Sequence, residues 1–389
     1  MIDDLIDDGA VHPPSGPLAG VVVADFSRIL AGPYATMLLA DLGATVIKVE
    51  GPPTGDDTRT WTPPVADDGA ATYYLSVNRN KRSIVLDLAA AADLDVAHRL
   101  AARADVMIEN FKPGGLARFG LDHGSVSVAN PGVVYCSISG FGTAGGAALP
   151  GYDLLAQAVS GLMSVTGEPD GGPTKAGVAL FDVTTGLHAA IAILAALHHR
   201  ERTGEGQLVE TNLLSAALSG LVNHTSAFLA ADVVPRRMGN AHASLFPYEP
   251  LPTGDGDLII IAANDNQWRR LVGAIGAPEL LDDPRFGSMG ERNTHRDALR
   301  VLLLERLATR SAQEWFDVLT AAGVPCGPIN TVEQGIALAD RLGLEPVVRP
   351  GGVPSVRNPV TYSATPPSYR RPPPALGADG DEIRAWLKD

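Results

Sequence analysis

Residues 177–190 read GVALFDVTTGLHAA and set one carboxylate, Asp182, between an apolar run and the start of a helix-spaced segment. Two kinds of chemistry suit an acid in that position. As a helix cap, its side chain would accept from backbone N–H groups two or three residues on. As a nucleophile, it would attack an activated acyl group and carry it covalently. Thr184 and Thr185 could cap equally well, which weakens the structural need for an acid here. Position alone leaves both readings open.

The cations raise a second question. NRNKRS (78–83) places Arg79, Lys81 and Arg82 just before a strand, Arg28 stands at the tip of the first strand, and NFKPGGLAR sets Lys112 and Arg118 beside another strand end. Ligands of open α/β sheets bind outside the carboxyl ends of the strands. Arg28, Lys112 and Arg118 lie near such ends, whereas NRNKRS precedes its strand and reads as the opposite edge. Each alone is an ordinary solvated charge. Together, on a chain of net charge −14 with 30 basic against 44 acidic residues, they point to a phosphate-bearing ligand. The same balance excludes nucleic acid, which needs a large basic footprint.

Other chemistries find no support. Cys136 and Cys326 have neither disulfide nor zinc spacing, and His188, His198 and His199 put no ligand pair on one helix face. The GxSxG elbow of serve-and-relay hydrolases is absent. The turn after the first strand is DFSRILAGP rather than GxGxxG, which argues against a dinucleotide pocket. The opening MIDDLIDDGAVHPPSG is acidic, unlike a signal peptide, and AAIAILAAL (189–197) falls short of the ~20 apolar residues of a membrane span. The expectation is a soluble, cytoplasmic protein.

The elements that must position these residues follow from periodicity. GVVVADFS (20–27), ATVIKVE (44–50), SIVLDL (83–88), DVMIENF (105–111) and GVVYCSISG (132–140) read as strands, with helix-spaced segments such as AGPYATMLLADLG (31–43) between them. That alternation predicts an α/β fold with a parallel, doubly wound sheet. From Thr184 to about Arg202 one helix is apolar on nearly all sides and is expected to be buried. A β-rich unit opens near 247, two helical stretches follow, and the tail from 343 is Pro-rich. Residues 224–330 are therefore expected to form a smaller domain.

Several of these stretches together resemble one family. DFSRILAGPYATMLLADLGATVIKVE, NRNKRSIVLDL, ADVMIENFKPGGLARFGLD, SGFG, GYD, ALFDVTTGLHAAIAILAALHHRERTGEGQ and GVPCGPI are similar, in order and spacing, to the class III CoA-transferases, the CaiB/BaiF group. Formyl-CoA and carnitine CoA-transferases and α-methylacyl-CoA racemase belong to it. The resemblance implies ring-shaped protomers in an interlocked homodimer. Each would have a Rossmann-like, CoA-binding large domain, from 1–223 completed by the return segment 331–389, and a smaller α+β domain from 224–330. It implies CoA transfer from an acyl-CoA to a small carboxylic acid through aspartyl anhydride and aspartyl-CoA thioester intermediates. Coenzyme A enters as substrate, with no tightly bound cofactor, metal, nucleic acid or membrane.

The family's catalytic aspartate falls on Asp182. Its CoA contacts fall on Arg28, Ile29, Leu30 and Ala31, on Leu86 beside the adenine, on Asn110 and Phe111, on Arg118, and on Tyr152 near the thioester. Where formyl-CoA transferase has basic CoA contacts this chain has Gly51, Ala89 and Pro150, so Lys81, Arg82 and Lys112 are the replacements expected to grip phosphate. MGNAHASLFPYEPLPTGDG stands in place of that enzyme's glycine-run lid, which leads away from an oxalate-specific enzyme. Two alternatives accompany this reading. A racemase needs a second acid/base group facing the first, and Tyr152 replaces the histidine of the racemases; a phenol of pKa near ~10 is a poor base at neutral pH. A non-catalytic CoA-binding paralogue would have no need of an intact Asp182 motif.

Overall fold

Short β-branched runs between helix-spaced segments give β1 (Val22–Asp25), α1 (Ala31–Asp41), β2 (Thr45–Glu50), β3 (Lys81–Val85), α2 (Ala91–Arg103), β4 (Val106–Glu109) and β5 (Val134–Ser139). After α3 (Asp153–Val159) and α4 (Leu180–Thr203) come β6 (Gln207–Asn212) and α5 (Leu213–Gly220). This computed structural model describes residues 16–388; the acidic N-terminal stretch lies outside them. The strands form one six-stranded sheet in the order β3-β2-β1-β4-β5-β6, every pair parallel. Apolar layers cover both faces, as parallel sheets require. On one side α2 contributes Val96 and Leu100 against Ile84 and Met107. On the other, Leu39 of α1 and Ile193 of α4 pack on Val46 and Ile108. The order reverses between β1 and β4, which is where ligands bind in such sheets.

The edge strand differs from the expectation in an instructive way. β3 starts at Lys81 rather than Ser83, so Lys81 and Arg82 are strand residues and not a basic loop before it. The chain's C-terminal segment covers this edge. The N–H of Asn80 donates to the Arg371 carbonyl at 3.0 Å, that of Ser83 to the Asp379 carboxylate at 2.8 Å, and that of Gly377 to the Ser83 hydroxyl at 2.9 Å. An exposed strand edge is thereby closed. The helix Gly380–Trp386 and the residue after it add Ile383 and Leu387 to the α2 layer.

The chain divides into two compact units. The first comprises the residues up to Leu162, Lys175–Val234 and Glu345 onward; the second is Met163–Thr174 with Pro235–Leu344. The expected boundaries stood at 224 and 330. Helix Asn223–Ala231 follows α5 across a sharp bend and stays with the first unit, while helix Val332–Arg341, capped by Thr331, stays with the second. The second unit is built on an antiparallel sheet, β7 (Tyr248–Pro252), β8 (Asp257–Ile261) and β9 (Cys326–Pro328). Leu251, Leu258 and Ile260 of that sheet meet Trp268, Leu303, Trp315 and Leu319 from its helices.

α4 carries the fold's tightest helix contact. It is long and apolar enough to cross a membrane by composition, yet Ala189, Ala190, Ile193, Ala196 and Leu197 pack into the sheet layer as a core helix does. It is not buried all round, contrary to the expectation: Leu187, Ile191 and Leu194 are exposed, Ile191 by 64%. A Cβ at Gly186 would lie 2.6 Å from the Ala31 carbonyl oxygen, so only glycine lets α4 rest on the start of α1. Gly186→Ala therefore sets two effects against each other. Helix propensity alone would stabilise by up to ~1 kcal/mol, whereas overpacking costs about 1–3 kcal/mol. Urea unfolding should show net destabilisation, and a stabilised variant would contradict this packing.

Candidate active site

A pocket of about 270 Å³ opens at the carboxyl ends of the central strands. Arg28, Ile29 and Ala31 reach it from the loop after β1, Asn110, Phe111 and Lys112 from the loop after β4, and Ser139 and Gly140 from the end of β5. Gly151 and Tyr152 enter just before α3, and Asp182 from the first turn of α4. The β5 loop and the strand-to-α3 connection touch through backbone: a Cβ on Gly140 would lie 2.5 Å from the Gly151 Cα.

α4 starts at Leu180, four residues before Thr184, so Asp182 lies inside the first turn of the helix and not at its cap. Ala179 holds the cap position and makes no side-chain cap bond. The first amides of the helix are taken instead by Asp153 of α3, whose Oδ1 accepts from the N–H of Phe181 at 2.7 Å and of Asp182 at 3.2 Å. Gln157, one turn further on α3, donates to Asp153 Oδ2 at 2.5 Å and to the Val178 carbonyl at 3.1 Å, and accepts from the Ala176 N–H at 2.8 Å. The approach to α4 is thus fixed from α3. Asp182 is not the cap, and its carboxylate has no hydrogen bond among the described residues. Burial first, and the Asp153 charge second, push its pKa from 3.8 to about 7. The same two acids, together with burial, push the phenol of Tyr73 up to about 12, so Tyr73 stays protonated beside them.

The other walls are held as firmly. Asn110 Oδ1 accepts from the Arg28 N–H at 2.9 Å while its Nδ2 donates to the Arg28 carbonyl at 2.7 Å, so this amide fastens the β1 loop to the β4 loop. The Arg28 guanidinium pairs with Asp57 at 3.2 Å and lies 5.6 Å from the centre of the Phe111 ring. Arg28 and Lys112 are the cations on the pocket wall. Tyr152 stands in it with 59% of its surface exposed.

A model of CoA-transferase family III matches residues 18–380. A succinate–glutarate CoA-transferase from Agrobacterium fabrum is 43% identical over 383 residues, covering 96% of each chain. An acetyl-CoA:oxalate CoA-transferase from Acetobacter aceti is 38% identical over 95% of this chain and 96% of its own. A crystal structure of a CaiB/BaiF family protein from Brucella suis superposes with a TM-score of 0.87 at 43% identity, covering 96% of this chain and all of that one. This chain belongs to CoA-transferase family III. It is a class III CoA-transferase with CoA thioesters as substrates, acting between carboxylic acids.

In this CoA-transferase, Arg28, Ile29, Ala31, Asn110, Phe111, Lys112, Tyr152 and Asp182 meet at one pocket; other expected residues do not. Leu30 is buried with Met37 and Val77, and Leu86 lies inside the α2 layer. Arg118 is exposed in a short turn, its guanidinium 4.5 Å from the centre of the Phe119 ring. Lys81 and Arg82 correct the expected phosphate grip. Lys81 is wholly buried and donates to Asp25 at 3.1 Å, the Pro33 carbonyl at 2.9 Å and Asn78 at 3.0 Å, with burial lowering its pKa to about 8. Arg82 pairs with Glu382 at 2.7 Å and Asp379 at 3.5 Å. A buried cation must be paired to be tolerated, and these two are consumed inside the fold. Sequence reasoning missed Asp153, although GYD contains it; an acid at the first position of a helix was the signal available.

The raised pKa of Asp182 has a consequence for stability. Between about 4 and 7 the folded protein holds a proton here that the unfolded chain releases, so this group's contribution is fully present below 3.8 and lost as pH rises through about 7. Asp182→Asn removes that dependence. In thermal unfolding it should match wild type near pH 4 and exceed it at pH 8; a variant less stable than wild type at pH 8 would contradict the burial of an unpaired charge.

Proposed function

We propose that Asp182 is the nucleophile of a CoA transfer that runs through enzyme-bound acyl intermediates. An Asp182 carboxylate oxygen attacks the thioester carbonyl of the donor; the C–S bond breaks, coenzyme A leaves as thiolate, and a mixed anhydride remains on the enzyme. The thiolate attacks the aspartyl carbonyl, which breaks the anhydride C–O bond, releases the donor acid and leaves aspartyl-CoA thioester. The acceptor carboxylate then attacks that thioester carbonyl, expelling thiolate and forming a second anhydride. Attack of thiolate on the acceptor's acyl carbon yields the new acyl-CoA and restores Asp182. Each step exchanges one acyl bond for another, so no water, nucleotide or electron carrier enters the balance.

The observation that carries this reading is the Asp182 carboxylate itself: turned free of helix capping by Asp153, without a partner, and raised to about 7. A more basic carboxylate is a better nucleophile, and at a pKa of about 7 roughly half of it is ionised at neutral pH. Arg28 and Lys112, on loops where the family binds CoA, supply charge for the nucleotide end. Among acids, glutarate with succinyl-CoA is the first pair to test, given the Agrobacterium relative, and oxalate the second, given the Acetobacter one. The exposed apolar side chains of α4, Leu187, Ile191 and Leu194, support a homodimer in which a second copy covers them.

Asp182→Asn should lower exchange by on the order of 10³-fold or more, and Asp182→Glu by on the order of 10²-fold through misplacement. Wild-type enzyme mixed with acyl-CoA and trapped with hydroxylamine should carry a hydroxamate on the Asp182 peptide, which the Asn variant lacks. Full activity in Asp182→Asn, checked for deamidation, would remove the nucleophile. Formation of the anhydride should also fall about tenfold per pH unit below about 7, as the carboxylate protonates. Sedimentation across a wide dilution range should show a dimer, and a compact active monomer would argue against the second copy.

A further inference from the structure

Ile29 lines the Asp182 pocket and has φ of 71°. A β-branched residue at positive φ is an outlier that persists only where its surroundings hold it. Asn110 holds the carbonyl of the Arg28–Ile29 peptide, and one carboxylate holds its N–H. Asp56 accepts from the Ile29 N–H with both oxygens, at 3.3 and 3.2 Å. Asp56 heads the turn Asp57–Thr60, where its Oδ1 also receives the N–H of Thr58 at 2.9 Å and its hydroxyl at 2.7 Å. It is buried, and its charge faces the equally buried ammonium of Lys48 at 2.8 Å. Lys48 in turn donates to the Ser27 carbonyl at 3.0 Å. One buried ion pair therefore grips the β1 loop at two points, a carbonyl before Arg28 and the amide after it.

We infer that Asp56 is a positioning residue that, through the Ile29 amide, holds the β1 loop in the left-handed geometry forming the pocket wall beside Asp182. Asp56 touches no substrate; it acts through Ile29. The inference rests on reading this pocket as the seat of the acyl-CoA. A competing account makes Asp56 only the counter-charge of Lys48, since removing one member of a buried pair destabilises whatever the loop does.

The two accounts part on specific variants. Asp56→Ala with Lys48→Met removes both charges and so leaves neither as a buried, unpaired ion, although the Thr58 donors and the Ser27 carbonyl lose a partner as well. That double variant should have a Tm below wild type but above that of Asp56→Ala alone, which leaves Lys48 unpaired. It should bind CoA on the order of 10-fold more weakly, as for loss of a hydrogen bond to a charged acceptor, and show Ile29 at negative φ in a crystal structure. In an Ile29→Gly background, where positive φ is free of steric cost, the same pair of substitutions should change CoA affinity by less than about threefold, a coupling that marks residues acting as a unit. Asp56→Asn keeps an acceptor for the amide while depriving Lys48 of its counter-charge, so stability should drop with CoA affinity largely kept. Equal losses in both Ile29 backgrounds, or a φ that stays positive without Asp56, would overturn the inference. Failure of the wild-type enzyme to bind CoA would instead remove the reading of the pocket, and with it the seat that Asp56 is inferred to shape.

Discussion

An unpaired carboxylate held partly out of water is the constraint around which this site is arranged. Helix α4 begins with amides that need acceptors, and an acid in its first turn is the nearest acceptor available. Had Asp182 served them, its oxygens would be occupied and its pKa low, which makes a weak nucleophile. Asp153 takes that duty from another helix, and its own negative charge adds to the rise at Asp182. The acid that caps α4 and the acid that lines the pocket are thus different residues. The arrangement destabilises the folded protein above neutral pH, and the apolar layers on both sheet faces offset it.

Several other buried charges near the sheet are treated in the reverse way. Lys81 meets Asp25, Lys48 meets Asp56, Arg59 meets Glu50 at 2.7 Å, and Arg79 meets Asp41 at 2.5 Å, all with little or no exposure. These pairs fasten distant chain segments. Asp41 also accepts from Asn80 and Asn358, while Asp379 accepts from the Ser83 N–H at 2.8 Å and from Arg82 at 3.5 Å, so the C-terminal segment is sewn to α1 and β3. What looks in the sequence like a basic rim for phosphate is largely internal fastening. The cations left at the pocket are those on the loops after β1 and β4, which are the loops the switch point brings together.

That division explains what sequence reading could reach. Strand and helix alternation follows from local periodicity, so the parallel sheet and the loops after β1 and β4 were legible; the family was legible from its ordered motifs, and only that resemblance implied that Tyr152 and Asp182 share a site. Lys81 and Arg82 were misread because their type signals charge and only their partners reveal burial. The extent of α4 was misread at its start, where Ala179 holds the cap position and the capping acid, Asp153, comes from elsewhere in the chain. Its exposed stripe was misread as core because an apolar side chain looks the same whether it faces a sheet or solvent.

By itself, then, the sequence determined the order of the elements and the chemistry available at each strand end, and the family resemblance singled out Asp182 among its acids. Only the tertiary structure decided which polar groups satisfy which. Asp153 lies 28 residues from the amide it caps, Asp56 27 from the amide it holds, and Glu382 300 from Arg82. Hydrogen bonds and ion pairs are short-ranged and directional, so their partners are set by where the fold brings the chain back upon itself, and neighbouring residue types carry no trace of that return.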